Sequence, residues 1–373
     1  MIDFGIYRRG MKLMQRINES MATQSFVLTS VWQAIIATSL EIRVYLRNKN
    51  AGKMVEQLFP GTCNSEPSTS IVRMKNITEE NILFISFQIF QVWFCFNAIY
   101  NQNTIQIITI SAINFCCACL SIVQLLEVIK WYRDFEHECP DGIDQMKLEQ
   151  KYPTNDVPLI ITLMVFATII SFLSWNLYRQ FGWNIYKKIG CDISMQAIYR
   201  TYLIYVMLLK LGLFFILGLA IESCLVFGIN LSSEDINHIR YIPKIIYLFH
   251  LVVTCLIILN QILGYRSVRK EIKLGMILVG SFWVVIILDF CILLFYSIGN
   301  VKDSWYFYIV YLFVGIALSL LSLVWSVRVK TNFNKGLQDH IDQEIRKPNS
   351  GNNPFPQVPQ EAIKKPDRWS IDD

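Results

Sequence analysis

The chain has 373 residues, of which 53% are hydrophobic and only 17% charged, with a formal net charge of +5. Soluble domains carry about a quarter charged residues, so an ordinary soluble enzyme is excluded; the apolar residues instead come in runs of membrane-crossing length separated by short polar segments. On such a chain the cations report loop topology, so the charge gives no reason to expect a nucleic-acid partner, and the expected surroundings are a lipid bilayer.

The first 24 residues carry Arg8, Arg9, Lys12 and Arg16 and precede an apolar run that begins near Phe26 and ends in Glu41 and Arg43. No small-x-small cleavage site follows, which predicts a retained signal-anchor helix. Eight spanning helices are predicted in all, at 25–46, 80–100, 104–129, 157–178, 201–228, 244–264, 274–298 and 305–327. The second and third are joined only by "NQN", 101–103. The expected fold is an all-α polytopic membrane bundle over 25–327, between a cytosolic segment 1–24 and a cytosolic tail 328–373. The Pro/Asn-rich "KPNSGNNPFPQVPQ" of that tail predicts disorder.

Charge gives the direction. With both termini in the cytosol, the cytosolic segments hold 20 Lys and Arg, the lumenal segments 12 and the spans 2. The bias is clearest in the short loops, where it decides topology: "YRSVRKEIK" carries four cations and "YRQFGWNIYKK" three, while the opposite "FEHECPDGIDQMKLEQ" is acidic. Only Cys63 and Cys139 of the ten cysteines fall in the large lumenal loops. A disulfide between them suits an oxidising lumen, and two free thiols suit the residues equally. "NIT" at Asn76 and "NLS" at Asn230 are candidate lumenal glycosylation sites close to the membrane, whereas "NES" at Asn18 is cytosolic and expected to be unused.

Residues 174–202 contain an internal echo, "WNLYR" at 175–179 and "WNIYK" at 183–187. Aromatic rings sit at headgroup depth and cations meet lipid phosphate, so Trp175, Tyr178, Trp183, Tyr186, Lys187 and Lys188 read as an interfacial anchor. Gly190 breaks the pattern, and Asp192 is placed to cap the next helix. Loop 179–200 and the C-terminal tail are the segments with room for protein partners.

"NTIQIITISAIN" (103–114), the run from Ser174 to Gly218 ending in "YVMLLKLGLFFILG", and "NFNKGLQDHI" (332–341) resemble a fungal UPF-type family of uncharacterised multi-pass Golgi apparatus membrane proteins. The resemblance covers most of the chain from the second span to Ile341 and implies a Golgi membrane location, without an activity. Family members carry an acidic residue two positions after the lysine, where this chain has Gly212, and the first lumenal loop here, 47–79, is longer.

An enzyme is not expected. The four histidines lie far apart, and there is no Gly-rich phosphate loop, zinc helix or nucleophile elbow. No cofactor or metal is expected either: "CCAC" (116–119) lacks zinc-site spacing, and the acidic loop lacks the pattern of a calcium loop. What remains are ionisable residues inside spans, which are costly and by default functional. Lys210, Glu222 and Asp289 form the candidate intramembrane site; Lys210 reads first as a side chain that snorkels to the cytosolic headgroups, and Asp289 is the partner expected for it if it does not. Glu41, Glu127 and Glu222 lie at similar depth and suggest a lumen-facing vestibule. The first expectation is a role in Golgi membrane organisation or trafficking; the alternative is an ion or small-solute transporter using the intramembrane carboxylates.

Overall fold

A computed structural model describes residues 2–62, 68–138, 152–189, 193–233, 241–299 and 306–335. These residues form the helices α1 (Ile2–Ile17), α2 (Met21–Thr62), α3 (Ser68–Asn101), α4 (Thr104–Glu138), α5 (Tyr152–Ile189), α6 (Ile193–Ser233), α7 (Tyr241–Arg269), α8 (Lys273–Gly299) and α9 (Tyr306–Thr331). Helices α2 to α9 are long and apolar enough to cross a membrane, by length and composition, in agreement with the all-α polytopic expectation. Large apolar side chains such as Ile89, Phe172 and Phe295 stand exposed on the outside, as a lipid solvent requires.

The turns have visible local causes. Asn103 Oδ1 accepts the backbone N–H groups of Ile105 and Gln106 at 3.1 and 3.2 Å, capping α4. Before it, Gln102 takes a left-handed φ of 49°, and Asn103 N–H reaches back to the Ala98 carbonyl at 2.9 Å. That bond closes α3 with the six-to-one pattern of a Schellman ending. Glu271 (φ 51°) ends α7 in the same way, with Ile272 N–H on the Ser267 carbonyl at 2.9 Å.

The spans assemble as two consecutive rings of four. Helix α2 packs on α3 and α5, and α4 packs on α3 and α5; likewise α6 packs on α7 and α9, and α8 packs on α7 and α9. The rings meet where α6 touches α3 and α4 and where α9 touches α4. Phe90 stacks on Phe214 across that junction, with centroids 4.5 Å apart. Glycine allows one close approach inside the second ring: a Cβ at Gly315 of α9 would run into the Leu219 side chain of α6 and sit 3.2 Å from the Phe290 ring of α8. Gly315→Val should therefore destabilise the protein by about 1–3 kcal/mol, as overpacking does, read as a lower midpoint of thermal unfolding in detergent.

Three contacts show that the even-numbered crossings return to one face. Gln102 Nε2 donates to Glu19 at 2.9 Å, and Ser20 Oγ donates to Gln180 at 3.0 Å, so the chain start, the end of the second span and the end of the fourth are level. Asn334 N–H donates to Glu271 at 2.9 Å, which levels the ends of the sixth and eighth spans. We call this the near face. Asn334, itself left-handed at φ 64°, belongs to the "NFNKGL" segment of the family resemblance.

Several predicted boundaries are corrected. The N-terminal segment 1–24 contains helix α1, and α2, α4, α5 and α6 run well beyond 25–46, 104–129, 157–178 and 201–228. Apolar runs mark the membrane, whereas the helices continue as long as their extensions find packing. Beyond the predicted ends of the first and third spans, and before the start of the second, Ala51, Val55, Met74, Ile77, Trp131 and Phe135 are buried. Trp131 stacks on Phe135 at 5.5 Å, and Arg73 pairs with Asp134 at 2.8 Å. The stretch 174–202 is accordingly helical on both sides of residues 190–192, with α5 ending at Ile189 and α6 starting at Ile193. Trp175 and Tyr178 are exposed and stack on each other at 6.2 Å. The side chains of Trp183, Tyr186, Lys187, Lys188 and Asn230, both cysteines Cys63 and Cys139, and the tail beyond 335 lie outside the described residues. Asn76 is buried in α3.

Candidate intramembrane site

The three residues singled out from sequence do not form one cluster. Lys210 turns to the near ends of α3 and α4, where Nζ donates to Asn97 Oδ1 at 2.5 Å and faces Gln106 Oε1 at 3.4 Å. Its partners are neutral carboxamides, and Asp289, the expected partner, belongs elsewhere. Asn97 and Gln106 flank the 101–103 turn, so the ammonium group has reached towards the near face along its four-carbon stem. Gln106 also donates to the Phe94 carbonyl at 3.0 Å. The segments "NTIQIITISAIN" and "YVMLLKLG" of the family resemblance are thus in contact through Gln106 and Lys210.

Asp289 of α8 pairs with His250 of α7: Oδ2 and Nδ1 are 2.7 Å apart, and each side chain is 1% exposed. His250 Nε2 lies 3.0 Å from the Ala220 carbonyl of α6. A carbonyl oxygen only accepts, so Nε2 carries a hydrogen and donates it. One more proton is then held between Nδ1 and Oδ2, and the pair is neutral overall on either assignment. Around it stand Thr254, whose hydroxyl donates to the His250 carbonyl at 2.8 Å, and Cys224, whose Sγ is 3.6 Å from Thr254 Oγ1. Ser223 Oγ spends its hydrogen on the Leu219 carbonyl at 2.8 Å and so receives one from Tyr308 OH of α9 at 2.7 Å.

Glu222, one residue before Ser223, is 6% exposed, and neither of its carboxylate oxygens has a hydrogen-bond partner. Glu79 of α3 and Glu127 of α4 are near enough to act on its charge, and Tyr308 lies within electrostatic reach of both Glu222 and Asp289. Glu127 is also engaged at a helix start, where its Oε1 accepts the Phe307 N–H of α9 at 2.5 Å. A carboxylate there suits the helix dipole. The expected lumenal trio is therefore divided. Glu127 and Glu222 meet where the two rings join, and Glu41 does not join them.

Glu41 sits inside the first ring in a row of satisfied polar groups. Asn81 donates to Glu41 at 2.8 Å, Asn48 donates to Asn81 at 2.9 Å, and Arg47 donates to Asn48 at 2.8 Å and to Asp156 at 3.0 Å. Nearer mid-membrane, Gln33 donates to Asn114 at 2.6 Å and receives Gln91 at 3.0 Å. Polar side chains bonded to one another across helices hold a bundle together in a medium that offers no water.

No family model matches the chain, and no solved structure does. One curated relative has 25% identity over 312 residues, covering 76% of this chain and 84% of its own length: a UPF0658 Golgi apparatus membrane protein of Schizosaccharomyces pombe. The likeness is to a fungal Golgi membrane protein. It agrees with the resemblance carried by residues 103–114, 174–218 and 332–341. Together with the eight span-capable helices, it supports a multi-pass Golgi membrane location. The residues sequence reasoning missed are His250, one of the four histidines passed over because they lie far apart in the chain, and Ser223, Cys224, Thr254 and Tyr308, which are unremarkable until the second ring brings them around Asp289.

Proposed function

We propose that the protein is a proton-coupled transporter of a small solute in the Golgi membrane, with Glu222 and the His250–Asp289 pair as its proton-handling groups. The observation that carries this is Glu222 itself, buried in an apolar span with both oxygens unpartnered. A carboxylate in that setting is expensive, and such residues persist in membranes where protons or ions pass. Neighbouring Glu79 and Glu127 add like charge, which favours a bound proton or cation in the group. The dyad supplies a second position for a proton, one that changes atoms without changing the pair's net charge, and Tyr308 lies between the two. With the near face in the cytosol, as the Lys and Arg distribution has it, these groups lie in the lumenal half of the second ring.

The trafficking reading draws on no comparable feature, because Trp175 and Tyr178 serve equally well as lipid anchors. The test is purified protein in liposomes with a pH-sensitive dye enclosed and mixed small solutes added outside. Solute-dependent acidification is expected, falling at least about tenfold in Glu222→Gln and in Asp289→Asn while both variants remain monodisperse. Flux no greater than in empty liposomes, or flux unchanged in both variants, sinks the reading.

A further inference from the structure

We propose that the near half of the α6–α7–α8 seam is a binding site for a small, uncharged, hydroxyl-rich solute, separated from the acidic far half by a layer of isoleucines. The inference builds on the transport reading by naming its solute class. In this half, Tyr205 of α6, Asn260, Gln261 and Ser267 of α7, and Trp283 of α8 are all buried, at 6% exposure or less. The Tyr205 hydroxyl, both polar atoms of the Gln261 side chain, Asn260 Nδ2, Ser267 Oγ and Trp283 Nε1 have no hydrogen-bond partner. Folded proteins leave only a few buried polar groups unpaired per hundred residues, so this many along one helix seam points to a partner that is not the protein.

Two glycines mark where these groups converge. A Cβ at Gly212 of α6 would lie 2.7 Å from Gln261 Nε2 and 3.6 Å from Trp283 Cη2, so side chains from α7 and α8 meet at one point of α6. One turn nearer the face, a Cβ at Gly264 of α7 would lie 3.0 Å from the Tyr205 hydroxyl. Gly212 and Gly264 let these polar atoms come close to the helix backbones, where a Cβ would collide with them.

The chemistry of the set selects the solute. Gln261, Tyr205 and Ser267 each donate and accept, while Trp283 and Asn260 Nδ2 donate. None is charged, and Lys210 directs its ammonium away, to Asn97. A solute satisfying them must itself donate and accept at several adjacent atoms, which is what neighbouring hydroxyls do, and the Tyr205 and Trp283 rings offer apolar faces to the carbons of such a molecule. Going deeper, each helix places one fully buried isoleucine before the acidic half: Ile216 between Gly212 and Ala220, Ile257 between Gln261 and Thr254, and Ile286 between Trp283 and Asp289. All three are 0% exposed and belong to one apolar cluster. A neutral polar pocket on one side of that layer and a proton-handling group on the other place solute and proton in separate compartments of one seam.

The experiment is equilibrium dialysis of the full-length protein in nanodiscs with radiolabelled D-glucose and myo-inositol as neutral probes and glucose 6-phosphate as the charged control. Saturable binding of at least one neutral probe is expected, with the phosphate at least about tenfold weaker. Binding should fall about tenfold in Gln261→Leu and measurably in Tyr205→Phe, which removes a single oxygen, and should persist in Asp289→Asn. No saturable binding of either neutral probe, or binding indifferent to both seam variants, overturns the site. Binding without proton-coupled flux overturns the transport reading alone, and flux without binding overturns the site alone.

Discussion

Asp156→Ala should cost the protein about 3–5 kcal/mol of stability, among the largest losses available to a single substitution in the first ring. Arg47 and Asp156 form a two-point pair, Nη2 to Oδ1 at 3.0 Å and Nη1 to Oδ2, with side chains only 4% and 8% exposed. Removing the carboxylate leaves a guanidinium that stays charged and is buried beside the neutral side chain of Asn48. The loss arises from a buried charge deprived of its two-point carboxylate more than from the value of the bond. Replacing both members, Arg47→Met with Asp156→Leu, should accordingly recover most of it. Thermal unfolding in detergent, compared across the two singles and the double, decides the matter. A single substitution within about 0.5 kcal/mol of wild type would mean that water reaches the pair.

His250→Leu is the corresponding experiment in the second ring, with an expected loss of about 3 kcal/mol. The imidazole is held at both nitrogens, by Asp289 and by the Ala220 carbonyl. Its removal takes the imidazole from Asp289 Oδ2, in a side chain whose Oδ1 already has no hydrogen-bond partner. The double variant His250→Leu with Asp289→Leu should be less unstable than the sum of the two singles by at least about 1 kcal/mol, the signature of a coupled pair. Additive losses would show that the two side chains act independently and would remove the dyad from the proposed mechanism.

The spans were legible because a membrane imposes one demand, an apolar run of fixed length, and the runs beginning at 25, 80, 104 and beyond meet it. The lengths of the helices were not. Charged stretches such as "RNKNAGKMVEQ" end a hydropathy signal without ending a helix whose Ala51 and Val55 are buried. Partnerships were hidden in proportion to their separation: Arg47 and Asp156 are 109 positions apart, and nothing local links them. His250 and Asp289 were nevertheless recoverable. In an antiparallel hairpin, residues equally far from the turn are level, and these two stand 21 before and 18 after Glu271. Applying that register to α7 and α8 pairs histidine with aspartate, where each residue read alone looks like an isolated oddity. For Lys210 the alternative to snorkelling looked only for a charged partner and so passed over Asn97 and Gln106, which serve as acceptors.

The two-ring arrangement has a consequence for how the protein is made. Each ring closes on itself through helices that are consecutive in the chain, α2 with α5 and α6 with α9. By the time the ribosome reaches residue 193, every helix of the first ring has been synthesised, and the interior row from Glu41 to Asp156 has all its members. While the second ring is being made, no polar side chain of that row still awaits a partner. The second ring is different: Glu222 enters the membrane before His250, Asp289 and Tyr308 exist, with only the finished first ring, at Glu79 and Glu127, beside it. During synthesis the first ring acts as a template, and the helix that carries the unpartnered carboxylate is laid against it first.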